Sequence, residues 1–267
     1  MNNTILKATS ILRLLASHSS GMTLTELSNA LSIPKSSVFD IVHTLEHVGY
    51  LEVSNDRLHT YRLGLEAFRI GYSYLDGTSL DSVARPQLTD LCHRSGETVF
   101  MALRSGKSNF VYVMKFLSGS DLQTVFSVGA VRHLLSAALG KAILAALPND
   151  QVLDAVTEDM YRTCSIPSIH DSTSLLAFLD NARKKGYVTD ETSENSHMAI
   201  PVAAPILDVD NHVLGAISIV AMSLHISEDR LQALGHMVSE AALKISHNLG
   251  YMENNLYIHA EKNSQVI

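Results

Sequence analysis

Three groups of side chains have the types and spacing to do chemistry. Lys35, Ser36 and Ser37 follow Pro34 in one run, and an ammonium with two hydroxyls suits phosphate oxygens and the polar edges of bases. His43 and His47 lie four apart, the spacing that puts two imidazoles on one helix face as metal ligands. No third ligand accompanies them and no HExxH pattern surrounds them. Cys92 and Cys164 stand far apart and outside any CxxC pattern, so neither a disulfide framework nor a thiolate metal site is indicated. Cys164 has its nearest histidine at His170, too distant to suggest a nucleophile pair.

Motifs that carry catalysis are missing. The chain has no GxSxG, no GxGxxG, no Walker-type loop and no zinc-hydrolase pair, and Gly140-Lys141 lacks the flanking residues of a phosphate loop. Neither an enzyme nor a cofactor is expected.

Elements must position the Lys-Ser-Ser run, and the apolar pattern supplies them. Ile5, Ala8, Ile11, Leu12, Leu15 and Ala16 recur at helical spacing up to Ser19-Ser20-Gly21. A short second helix over 25–31 has Thr23 or Thr25 as its capping residue. Pro34 opens a third helix whose buried stripe is Val38, Ile41, Val42, Leu45 and Val48, ended by Gly49. Tyr50–Val53 and Leu58–Leu63, joined by a polar turn, form a hairpin. Three helices and a hairpin spell a winged helix-turn-helix over 1–64.

A linker helix follows over 65–79, then an α+β domain over 80–250 with an antiparallel sheet, and a polar tail over 251–267. Strands are expected at 98–103, 110–116, 122–127, 187–190, 200–207 and 213–220, and helices at 137–147, 150–157, 172–185 and 227–249.

A length of 267 residues fits one small and one medium domain, and 46% apolar with 18% charged residues is globular usage. Met1–Ser10 shows no leader pattern, and the most apolar segments fall short of the ~20 residues of a membrane span. A soluble, cytoplasmic protein without a membrane partner is expected. Net charge is −7. Within residues 1–64, however, Lys7, Arg13, Lys35, Arg57 and Arg62 balance Glu26, Asp40, Glu46, Glu52 and Asp56. Zero is low for a DNA binder, which draws affinity from phosphate neutralisation. That balance keeps open the alternative that the winged helix docks a protein.

In order and spacing the chain resembles the IclR (isocitrate lyase regulator) family of transcription factors from about Leu6 to Gly250. The resemblance rests on Thr23-Leu24-Thr25-Glu26-Leu27, Pro34-Lys35-Ser36-Ser37-Val38, Gly49-Tyr50-Leu51, Tyr61-Arg62-Leu63-Gly64, Ser95-Gly96-Glu97-Thr98-Val99, Gly140-Lys141-Ala142, Arg183-Lys184-Lys185-Gly186-Tyr187, Ala203-Ala204-Pro205 and Ala216-Ile217-Ser218. It implies a DNA-binding head, a linker helix used in dimerisation, and a GAF-like effector-binding domain, in dimers or dimers of dimers.

The implied partners are an inverted-repeat operator of double-stranded DNA and a small organic acid from a catabolic pathway, with repression the commoner outcome. The DNA contacts are expected at Thr25, Lys35, Ser36, Ser37, Phe39, Asp40 and His43, and on the hairpin at Arg57 and Arg62. Asp40 stands where the family usually has a basic residue; it could accept a hydrogen bond from a cytosine amino group.

Carried over residue by residue, the effector site comprises Ala138, Leu139, Asp190, Pro201, Ser218 and Val220. Pro201 replaces a usual cysteine and Val220 a usual serine, which makes the site less polar. A ligand with one anionic group and some apolar bulk is therefore expected, its carboxylate held by backbone N–H groups of the helix-opening segment Ala137-Ala138-Leu139.

Overall fold

The computed structural model describes residues 2–54, 59–77, 80–118, 127–190, 199–221 and 226–257, the side chains of 74–77 excepted. They form two compact units that divide between Asp81 and Ser82. The first unit contains α1 (Asn3–Ala16), α2 (Leu24–Leu31), α3 (Lys35–His47), the hairpin strands β1 (Leu51–Val53) and β2 (Tyr61–Leu63), and α4 (Leu65–Gly77).

Local chemistry sets the helix ends. Thr23 caps α2: its hydroxyl accepts the Glu26 N–H while the Glu26 carboxylate accepts the Thr23 N–H, a reciprocal box that satisfies two donors at the helix start. Thr25 lies inside the helix, exposed. Only three residues, Ser32 to Pro34, join α2 to α3; buried Ser28 clamps the turn by donating to the Ile33 carbonyl at 2.7 Å. Gly49, at φ +80, ends α3, donating to the Glu46 carbonyl while Tyr50 donates to that of Leu45.

Ile11, Leu15, Leu27, Val38, Ile41, Val42 and Leu51 make the core of this unit. Val48, expected in that stripe, is 50% exposed, because the helix stops at His47 and the capping turn rotates Val48 out of register. Met22 and Tyr61 exchange two backbone hydrogen bonds, which ties the hairpin to the segment before α2.

The second unit carries α5 (Leu80–Ser95), whose start straddles the division, then β3 (Thr98–Ser105), β4 (Asn109–Phe116), β5 (Val131–His133), α6 (Ala138–Ala145), α7 (Asn149–Ala155), α8 (Glu158–Tyr161), α9 (Ser172–Lys185), β6 (Val188–Thr189), β7 (Ile200–Leu207), β8 (Val213–Ala221) and α10 (Glu228–Asn248). The six strands form one antiparallel sheet in the order β5-β4-β3-β8-β7-β6. Consecutive residues of β3, β7 and β8 are buried, so both sheet faces are covered, with α6 and α10 packed on β7 and β8. The fold class is α+β.

One expectation lies almost wholly outside the described residues, and one more differs from what the structure shows. The strand expected over 122–127 lies outside the described residues except for Ser127, which is not in a strand, while β5 forms just beyond it. The segment after Gly250 is not wholly a polar tail: Tyr251, Leu256 and Tyr257 are buried, and the Tyr251 hydroxyl donates to the Asn255 carbonyl. Burial pushes the Tyr257 phenol well above its ordinary range.

Candidate ligand cavity and recognition helix

Period-two alternation on paired strands builds the floor of a cavity. Ser218 and Val220, two apart on β8, share one face; Phe100 of β3 lies opposite Ser218, and Pro201 of β7 opposite Val220. Tyr112 of β4 adds to this floor, and the start of α6 forms a wall with Ser136, Ala137, Ala138 and Leu139. The enclosed volume is about 220 Å³. All six residues expected to form the effector site, Ala138, Leu139, Asp190, Pro201, Ser218 and Val220, line it.

Close approach fixes the wall. A Cβ on Gly140 would come within 2.1 Å of the Leu134 carbonyl oxygen, so only glycine lets the first turn of α6 pack against that backbone. No side chain caps this turn, which leaves its N–H groups free of the usual capping oxygen.

Charge enters at one end. Lys141, one turn into α6, is fully buried and donates to Asp190 Oδ2 at 3.0 Å and to Ser165 Oγ at 2.6 Å. Ser165, on the segment between α8 and α9, donates in turn to Asp190 Oδ2 at 2.6 Å. Asp190 is 3% exposed, at the end of the short edge strand β6. Its other oxygen, Oδ1, has no hydrogen-bond partner among the described residues.

Burial, with the Asp190 charge adding to it, pushes the Tyr112 phenol up to about 12, so it stays neutral. His133 is held below the ordinary imidazole range by burial, then by the charges of Lys141 and Arg132. A larger groove of about 500 Å³ runs past Leu153, Glu158, Arg162 and His170, but those side chains are exposed and leave no buried polar atom waiting for a partner.

In the first unit α3 presents Lys35, Ser36, Phe39, Asp40 and His43 to solvent, with Phe39 edge-on to His43 at 5.7 Å. Thr25 of α2 is exposed too. Ser37 is not part of that face: it is half-buried and accepts a hydrogen bond from Lys7 of α1. Arg62 is exposed but pairs with Glu52 across the hairpin at 3.2 Å, a surface pair weak enough to exchange for a phosphate. Arg57 lies outside the described residues.

Lys141 and Ser165 escaped the sequence-based assignment. Lys141 carried a usable signal, a lone charge inside the apolar run Ala138–Leu147, where a buried ammonium requires a partner. Ser165 carried none.

A helix-turn-helix head joined to a sensor-like α+β unit with an internal cavity defines a two-domain DNA-binding regulator. The family described as "IclR helix-turn-helix domain" matches residues 4–54, and "Bacterial transcriptional regulator IclR C-terminal" matches residues 72–247. The chain belongs to the IclR family of bacterial transcriptional regulators, and is not an enzyme.

Among its relatives, the HTH-type transcriptional regulator KipR of Bacillus subtilis is 30% identical over 250 residues, 94% of this chain and 98% of that one. KdgR of Escherichia coli is 29% identical over 228 residues, 85% of this chain and 86% of its own. The crystal structure of the Thermotoga maritima IclR superposes with a TM-score of 0.70 at 25% identity, covering 93% of this chain and 99% of its own. An IclR homolog from Microbacterium hydrocarbonoxydans, complexed with 4-hydroxybenzoate, shares the fold at TM-score 0.73 and 19% identity, over 92% of this chain and 99% of that one. Among the described residues no helix is long and apolar enough to cross a membrane.

Proposed function

We propose that the chain is a repressor that binds an inverted-repeat operator as a dimer or dimer of dimers and is controlled by a small carboxylate effector of a catabolic pathway. The observation that carries the effector half is the cavity, which joins an uncapped helix start to an unpartnered carboxylate oxygen. The N–H groups at the start of α6 attract an anion. Asp190 Oδ1, buried and without a hydrogen-bond partner among the described residues, calls for a donor. Phe100, Leu139, Pro201 and Val220 line the space with apolar surface.

The effector is thus a compact acid with an apolar body and a hydroxyl or similar donor. At about 220 Å³ the cavity is smaller than the ~300–1,000 Å³ of typical ligand pockets, which favours a compact ligand. The 4-hydroxybenzoate bound by the Microbacterium homolog has that pattern. Relatives named as transcriptional repressors, such as AllR of Klebsiella pneumoniae at 28% identity, support repression.

DNA contacts are assigned to Thr25, Lys35, Ser36, Phe39, Asp40, His43 and Arg62, with Arg57 on the unplaced part of the hairpin. Two-fold symmetry would set two α3 helices about one DNA turn apart.

Calorimetry tests the effector reading with 4-hydroxybenzoate, benzoate and glycerate. The hydroxyl acid is expected to bind about tenfold more tightly than benzoate, the cost of leaving Oδ1 unpaired. Tight binding of glycerate with no binding of either aryl acid would sink the assignment. A reporter behind the chain's own operator is expected to be silent with the protein and to respond when effector is added; expression that rises with the protein alone would make it an activator.

A further inference from the structure

The exposed face of α3 carries an unusual pair for a DNA-reading helix, an aromatic ring followed by a carboxylate. Phe39 is 49% exposed and touches only the His43 ring edge-on among the aromatic contacts, so about half of it lies in water in the free chain. The Asp40 carboxylate has no hydrogen bond or ion pair among the described residues, while its backbone carbonyl is taken by Thr44. Neither group suits a phosphate: one is uncharged, the other is repelled. Phosphate contacts from this helix fall instead to Lys35 and Ser36 at its start.

What remains for the pair is the floor of the major groove. The thymine 5-methyl group is the one apolar group displayed there, and an aromatic side chain is among its recognised partners. Two bases display an amino donor, cytosine and adenine. Adenine sets its N7 acceptor beside the amino group, which repels a carboxylate and favours an amide; cytosine has no such neighbour. We propose that each recognition helix identifies a thymine and a nearby cytosine, Phe39 packing on the thymine 5-methyl group and Asp40 accepting a hydrogen bond from the cytosine 4-amino group.

This assignment rests on the operator-binding function proposed above. It also gives a place to the charge balance of residues 1–64: the acidic group on the recognition helix reads a base and is kept for specificity, at some cost in phosphate attraction.

The test begins with selection of duplexes from a random-sequence pool by the full-length protein. In the selected half-site each thymine is then replaced singly by deoxyuridine, which pairs identically but lacks the methyl group. One replacement is expected to weaken wild-type binding about fourfold, the worth of one buried methyl-sized group. Phe39→Ala, at an exposed position that leaves the core intact, is expected to bind the two duplexes equally. Asp40→Asn, selected anew, is expected to exchange the cytosine for adenine, because an amide both donates and accepts.

Equal wild-type affinity for every thymine and deoxyuridine duplex overturns the Phe39 assignment, and an unchanged preference in Asp40→Asn overturns that of Asp40. Enrichment of no duplex at all would instead overturn operator binding, and this assignment with it.

Discussion

Lys141 is the most deeply buried charged side chain among the described residues of the second unit. A fully buried ammonium costs several kcal/mol unless it is paired, and here Asp190 and Ser165 supply the pairing within 3.0 Å. Removing one partner strands the other charge, whereas removing both charges restores balance. Lys141→Met is therefore expected to lower the stability of this unit by roughly 3 kcal/mol, and the double variant Lys141→Met with Asp190→Asn to recover most of that loss. Urea unfolding of the two proteins measures it; equal midpoints would show that the ion pair is not what the lysine supports. Single residues of the cavity were only partly legible in the sequence. Asp190, Pro201, Ser218 and Val220 are brought together by β6, β7 and β8, which no short-range spacing reveals, and they were found through family resemblance. Ser165 lies on the segment between α8 and α9, where neither period nor motif marks it.

At the scale of elements, capping decides where the head begins to read as a helix-turn-helix. Thr23 closes the reciprocal box with Glu26, and the hydrogen bonds that its N–H, first among the causes, and its hydroxyl donate to the Glu26 carboxylate hold that carboxyl below its ordinary range. Thr25, two residues on, makes no cap. Thr23→Ala is expected to destabilise the head by about 1 kcal/mol and Thr25→Ala to leave it within about 0.5 kcal/mol, with the order reversed for operator affinity. Thermal melts of both variants beside a DNA titration would show the inversion; parallel losses in both measurements would contradict the separation of roles. Helices with a strong apolar period, such as α1, α3, α9 and α10, were legible almost to the residue, because burial of one face imposes the pattern that is read. Elements of three or four residues, β5 and α8, complete no period and left no trace. Tyr251, Leu256 and Tyr257 were hidden for another reason: Glu253, Asn254 and Asn255 separate the first from the other two, and only packing on the rest of the domain shows that they are buried.

At the scale of the whole molecule, α4 has an apolar surface that one chain leaves in water. Leu65, Phe68 and Tyr72 are 72%, 65% and 43% exposed, and their spacing of three and four places them on one helix face, with the Phe68 and Tyr72 rings stacked at 5.7 Å. A regulator that presents such a face gains by covering it, and in the proposed dimer a second α4 would be the self-complementary partner that two-fold symmetry supplies. Dimerisation bears directly on how the protein meets DNA. A head with no net charge gains little long-range attraction to DNA, so the proposed dimer would add the contacts of a second head, and the salt dependence reports how many phosphates are neutralised. Phe68→Glu places a carboxylate in the proposed contact and is expected to sediment as a monomer while each unit keeps its melting behaviour. On the selected operator the slope of log affinity against log salt is expected to fall to about half its wild-type value, since one head neutralises half the phosphates. A variant that sediments as a monomer yet keeps the full slope would mean that one chain makes all the phosphate contacts, and the two-headed arrangement would have to be abandoned. A variant that remains dimeric would move the interface away from α4.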